Sequence, residues 1–186
     1  MMRGLKERAR RRVLARAQGR GNDRALAGML FNARHGQSAL AGWWGLSAVE
    51  FARLVRHHFP GARVPLGLKS KLKRPQARSV EWDELRHLCR SHRAGRDVSE
   101  LFMADIVCSA CMGADHLWQD LGLFNRAELS ALMERNFPTL AARNVHDMKW
   151  KKFLYKQLCI AEGIYVCRAP SCEECTDYDA CFGPEG

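Results

Sequence analysis

Apolar residues recur along this chain at the three- and four-residue intervals of helices, and the pattern predicts an all-α protein. The first expected helix covers 24–34, with Asp23 as its cap and Leu26, Leu30 and Ala33 on one face, before Gly36 and Gln37 break it. The second is better marked. Ser47 and Glu50 make a capping box, Phe51, Leu54, Val55 and His58 share a stripe, and Phe59-Pro60-Gly61 stops the run. Residues 61–78 carry Pro65 and Pro75 among six basic residues and read as a linker or exposed loop. A third helix opens at 79 and reaches about 92, with Trp82, Leu85, Leu88 and Cys89 inward. A fourth begins after Asp97 or Ser99 and continues through Leu101, Ile106 and Cys108 to about 112. The last long helix is expected from an Asn144 cap to about 162, ended by Gly163. Its stripe is Trp150, Phe153, Leu154, Gln157, Leu158 and Ala161, and its basic face is Lys149, Lys151, Lys152 and Lys156.

Part of the pattern is repeated. A shift of 78 residues lays Leu46-Ser47-Ala48-Val49-Glu50-Phe51 over Phe124-Asn125-Arg126-Ala127-Glu128-Leu129. The same shift lays Leu54-Val55 and Phe59-Pro60 over Leu132-Met133 and Phe137-Pro138. Cap, capping acid, apolar stripe and Phe-Pro stop all coincide, which points to two related helical units packed together. The expected organisation is a basic flexible tail over 1–22, a helical body of about five to six helices over 23–162, and a cysteine-rich, metal-binding module over 163–186 packed on that body.

Composition changes this picture little, and charge changes it at one end. Hydrophobic residues make up 47% of the chain and charged residues 27%, ordinary for a globular protein. The net charge of +10 is concentrated: eight Lys or Arg stand against Glu7 in residues 1–20, while the rest of the chain holds 22 basic and 19 acidic residues. Basicity is therefore mostly a property of the tail, where a like-charge block is ordinarily solvated. No run of 18 apolar residues spans a membrane, and the Arg-rich start lacks the apolar stretch of a secretory signal. Thiols and metal ligands, rather than disulfides, are then the expected state of the eight cysteines.

Four of those cysteines, Cys167, Cys172, Cys175 and Cys181, fall within fifteen positions as C-x4-C-x2-C-x5-C, where core-forming apolar residues are scarce. A bound metal would supply the folding free energy that such a segment lacks. Cys172 and Cys175 make one zinc-type knuckle, but gaps of four and five do not make a second. Uneven, close spacing is common in iron-sulfur ligation, which leads here over zinc and disulfides. A second candidate site is Cys108, Cys111 and His116: the cysteines are helical neighbours, and a break at Gly113 would fold His116 back towards Cys111. The plainer account of that trio is buried core thiols and a surface histidine. Cys89 and Cys159 sit on apolar stripes and read as core, and the remaining histidines, His57 and His58 among them, read as surface or cap residues. The five tryptophans read as core rather than as a stacking platform for bases. No Gly-rich phosphate loop, Ser/His/Asp arrangement or H-E-x-x-H appears, so nothing positive points to catalysis.

The C-terminal third carries a resemblance. Met148-Lys-Trp-Lys-Lys-Phe-Leu-Tyr-Lys-Gln-Leu-Cys159, then Val166-Cys-Arg-Ala-Pro-Ser-Cys172, Cys175, Tyr178 and Cys181-Phe-Gly-Pro-Glu185 closely resemble the NifQ family of nitrogen-fixing bacteria. His116-Leu-Trp-Gln-Asp-Leu-Gly-Leu123 resembles that family's central signature. The resemblance covers roughly 23–186. It implies a cytoplasmic carrier, not an enzyme, that binds an iron-sulfur cluster of 3Fe-4S or 4Fe-4S type together with molybdenum. It further implies donation of molybdenum to assembly of the nitrogenase iron-molybdenum cofactor, with the NifEN scaffold and NifH as partners. Cys167, Cys172, Cys175 and Cys181 take the role of cluster ligands on this basis, and molybdate or a molybdenum-sulfur species is the cargo. Arg168 and the lysine face at 149–156 are the candidate cationic approach for an oxyanion. The competing class is a zinc-stabilised nucleic-acid-binding protein using the basic tail, and a catalytic processor of molybdate is a third; neither membrane nor nucleic acid is the expected partner.

Overall fold

A computed structural model describes residues 11–40, 42–62, 80–161, 163 and 178–185. Most of the expected linker, together with Cys167, Cys172 and Cys175, lies outside the described residues. Within them all regular structure is helical. The order is α1 (Asp23–Arg34), α2 (Ala48–His58), α3 (Val80–Ser91), α4 (Ser99–Cys111), α5 (Leu117–Leu121), α6 (Arg126–Asn136), α7 (Pro138–Ala141), α8 (Trp150–Ala161) and α9 (Tyr178–Phe182).

Helix α4 is the axis of the body. It is apolar on nearly every side, with Met103, Ala104, Ile106, Val107, Cys108 and Ala110 all fully buried, and a helix of that kind must be covered all round. α3 lies along it, α2 and α5 pack on it, and α8 covers α3. The register between α3 and α4 is pinned by Asp105, buried on α4. Its carboxylate accepts from Arg86 Nε at 2.8 Å and from Arg90 Nη2 at 2.9 Å, both reaching across from α3. At the start of α4, buried Glu100 accepts the backbone N–H groups of Gly95, Arg96 and Asp97, which turns the incoming chain onto the helix.

The repeated pattern is repeated structure. Ser47 caps α2 and receives Glu50 N, with Glu50 returning to Ser47 N at 2.8 Å; Asn125 caps α6 and receives Glu128 N at 2.9 Å. Both helices end on a phenylalanine with φ −134, whose N–H returns to the carbonyl four residues back, Val55 or Met133. Phe59 and Phe137 are both buried. The predicted stripes of α2 and α3 are the ones buried, and Trp44, Trp82 and Trp150 are core residues.

Four expectations shift. Asp23 is not the cap of α1 but its first residue, buried, with Asn22 before it. Asn22 is buried too and hydrogen-bonds Ser99 and Asn136, and Val13, Leu14 and Ala17 pack on the core, so the flexible tail does not extend to residue 22. α8 starts at Trp150 rather than after Asn144, because the Asn144 side chain closes a loop instead. Its Oδ1 and Nδ2 pair with the N–H and C=O of Met148 at 2.9 Å each, and Asp147 in between takes φ 50. On α8, Ala161 is exposed and Gln157 half-buried, so both predicted stripe positions fall outside the buried face of Trp150, Phe153, Leu154 and Leu158.

Candidate metal centre and its anchorage

Of the four cysteines in the C-terminal segment, Cys181 lies among the described residues, on α9. Tyr178 and Phe182, one turn apart, stack with ring centroids 4.7 Å apart, and Cys181 and Phe182 pack against the core. Lys149, the residue before α8, grips this short helix. Lys149 N donates to Cys181 O at 2.8 Å and Lys149 Nζ to Asp179 O at 2.7 Å. A second grip follows at Glu185, whose nearly buried carboxylate accepts from Arg126 Nη1 at 2.5 Å. The same guanidinium holds Asp147 Oδ1 at 2.7 Å and Met148 O at 3.1 Å, so Arg126 ties the start of α6, the loop before α8 and the C-terminal residues together.

The second candidate trio is not brought together as ligands. Cys108 and Cys111 sit inside the core on α4, beside Cys89 of α3, whereas His116 precedes α5 and points to Glu185, with Nδ1 3.8 Å from Oε1. A hydrogen bond with Cys89, burial and neighbouring charge push the Cys108 thiol far up, and burial does the same for Cys111. Burial, with Cys111, Glu81 and Cys108 close by, pushes the Tyr155 phenol of α8 up to about 12. These thiols are neutral core groups, as expected of Cys89; Cys159 is half-buried rather than core. The lysine face of α8 is also partly spent. Lys151 Nζ donates to Gly113 O at 2.8 Å and pairs with Asp120, a carboxyl that burial pushes up despite the ammonium.

Sequence reasoning misplaced one cluster. Among the described residues, the group of three His, Cys, Asp or Glu side chains whose ligating atoms lie within 4.8 Å of one another is His57, His58 and Asp97. His58 is fully buried rather than a surface or cap residue. Its Nδ1 contacts Asp23 Oδ1 at 2.6 Å and its Nε2 has no hydrogen-bond partner. Burial lowers its pKa in spite of Asp23. His57 Nε2 lies 3.0 Å from Asp97 Oδ2, which Arg20 Nη1 also approaches at 3.3 Å. Burial works to raise the Asp97 carboxyl, but hydrogen bonds from Ser99 and His57 hold it well below the carboxylate range. The available signal was the stripe itself, since His58 falls in line with Phe51, Leu54 and Val55.

Comparison with known proteins places these features. The family described as NifQ matches residues 25–183. Protein NifQ of Azotobacter vinelandii is 48% identical over 162 residues, covering 82% of this chain and 83% of the relative. The NifQ homolog of Sinorhizobium fredii is 40% identical over 139 residues, 75% of this chain and 60% of the relative, and Protein NifQ of Rhodobacter capsulatus is 36% identical over 143 residues, 76% of each. No solved structure matches. With the match running from the first turns of α1 to the residue after α9, the chain belongs to the NifQ family of nitrogen fixation.

Proposed function

We propose that this chain is a cytoplasmic iron-sulfur metalloprotein that binds molybdenum and donates it for assembly of the nitrogenase iron-molybdenum cofactor, with NifEN and NifH as its assembly partners. The observation that carries this is the span of the family match, which takes in all of Cys167, Cys172, Cys175 and Cys181. The donor set fits a cluster: four thiolates are soft ligands, and their uneven spacing is common in cluster-binding segments. Cys181 fits as well, being a free, half-buried thiol at the edge of the body rather than sealed in it like Cys89 and Cys108.

When bound, the cluster supplies a soft sulfide and iron surface on which molybdenum, the cargo, stays reduced and deliverable. Everything else is the work of the chain. The thiolates hold the cluster, and Lys149 fixes the backbone of the last ligand through its carbonyl. Arg126 fixes the end of the chain through Glu185. Lys149 and Lys151 are turned to acceptors on the body, so attraction of an oxyanion falls to other cations; Lys152 is exposed on the same helix.

Anaerobic purification with iron, sulfide and molybdenum analysis tests the proposal. Cys172→Ala and Cys175→Ala should abolish the visible iron-sulfur absorption, and Cys89→Ala should keep it. X-ray absorption at the molybdenum edge should report iron and sulfur neighbours. Colourless protein carrying one zinc and no iron would overturn the reading.

A further inference from the structure

His57, His58 and Asp97 meet where three parts of the body converge: the end of α2, the residues leading into α4, and the stretch before α1 that carries Arg20. Two features of this corner are not explained by packing. The first is the buried, unpartnered Nε2 of His58. A buried polar nitrogen without a partner costs about 1–3 kcal/mol, and native structures seldom carry one without a reason. The fold itself shows that the position can be filled without that cost. Asn136 stands at the corresponding place in the second unit, equally buried, and its amide is satisfied by Asn22 and by Leu132 O.

The second feature is the way the ring is held. Asp23, itself buried, grips His58 Nδ1 at 2.6 Å. A carboxylate behind one imidazole nitrogen, with the other nitrogen left open, is the usual outer support of a metal-binding histidine, since it fixes both tautomer and ring orientation. Beside it, His57 Nε2 and Asp97 Oδ2 are 3.0 Å apart. Two ligands at about 2.1 Å from one ion, set 90–110° apart, are themselves separated by about 3.0–3.4 Å. The corner also lies at the C-terminus of α2, where the helix dipole favours a cation.

We propose that His57, His58 and Asp97 form a binding site for one divalent first-row transition ion, with Asp23 as the support of the His58 ring. Two imidazoles and one carboxylate suit zinc or ferrous iron and leave coordination positions open. The ion takes the place of the hydrogen between His57 and Asp97, the neutral His57 ring carrying its proton on Nδ1 instead, so no net charge moves on the imidazole. His58 completes the set, one of its ring nitrogens lying within 4.8 Å of the ligand atoms of His57 and Asp97. Arg20 is the opposing element, because its guanidinium competes for the same Asp97 oxygen. The site is separate from the C-terminal cysteines and stands or falls independently of them.

Cobalt(II), added anaerobically to the full chain, is the probe. One equivalent should bind with the weak visible bands of nitrogen and oxygen coordination and no thiolate charge-transfer band. It should persist when Cys172 and Cys175 are replaced by serine. Asp97→Asn and His57→Gln, both at part-exposed positions, should keep helical circular dichroism and weaken that equivalent by about 100-fold, and Asp23→Asn by about 10- to 100-fold. Arg20→Gln should tighten it about three- to tenfold by removing a like charge. A cobalt spectrum that is wholly thiolate in character overturns the proposal, as does a nitrogen-oxygen equivalent that survives Asp97→Asn and His57→Gln in folded protein.

Discussion

Buried ionisable side chains in this protein follow opposite rules according to whether a partner reaches them. Asp105 and Glu100, buried inside the body, are met by Arg86, Arg90 and a row of N–H groups. Cys108 and Cys111 have Cys89 beside them and, among the described residues, no hydrogen-bonding cation, and burial keeps them thiols although Lys151 lies near Cys111. Since the folded thiols ionise only far above their unfolded value, the stability they contribute is complete below about pH 8.5. It is lost as pH rises beyond that, by about 1.4 kcal/mol per pH unit for each thiol. Urea titrations between pH 7 and 10 should show this slope. At pH 7, alkylation of cluster-free protein should spare Cys89, Cys108 and Cys111 until it unfolds. Asp120 is the mixed case, a buried carboxyl whose pKa is raised while Lys151 holds it. Lys151→Met should cost roughly 3–5 kcal/mol at neutral pH, as expected when one partner of a buried pair is removed. A raised carboxyl stabilises the fold on the acid side, so part of that loss should return as the pH is lowered towards 5, measured by urea unfolding at both values.

At the scale of elements, start and stop signals were legible where local chemistry alone decides them. Ser47 with Glu50, Asn125 with Glu128, and the Phe-Pro stops needed nothing from the rest of the fold. Ser47→Ala and Asn125→Ala should each lower stability by about 1 kcal/mol, and the double variant by the sum, by urea unfolding. The signals that misled were side chains with two uses. Asn144 has the composition of a cap but spends its amide on Met148, and Asp23 spends its carboxylate on His58 and on Arg20 N. Periodicity cannot distinguish a cap from a loop clamp, because both ask for a short polar side chain. Helix α5 escaped for a different reason: five residues are too few for a stripe. It ends at Gly122, at φ 74, where an added Cβ would stand 2.9 Å from Ser38 Cβ.

In the molecule as a whole, the all-α class and the buried stripes of α2 and α3 could be read from spacing, whereas the corner at His57 and Asp97 could not. Residues 40 positions apart meet there through a packing that no local pattern encodes. The same holds for Arg126, which looks like an exposed helix-start residue in sequence and is a three-way tie in the fold. Arg126→Ala should leave urea stability of the body within about 1 kcal/mol while hydrogen exchange speeds up selectively at 178–185 and around 147–149, since a tie of this kind holds an edge rather than the core. No helix among the described residues is long and apolar enough to cross a membrane.

Asn22 and Asp23 are neighbours in the chain, yet they serve equivalent positions in the two units, Asn136 and His58. During synthesis these two engagements cannot close together. Asp23 can find His58 once 35 further residues have been made, but Asn22, which also meets Ser99, must wait for Asn136, 114 residues downstream. The 78 residues between His58 and Asn136 take roughly 4–16 s at ribosomal speeds of about 5–20 residues per second. For that interval Asp23 is already engaged in the first unit while Asn22 beside it still lacks Asn136, so the segment before α1 is anchored in two stages.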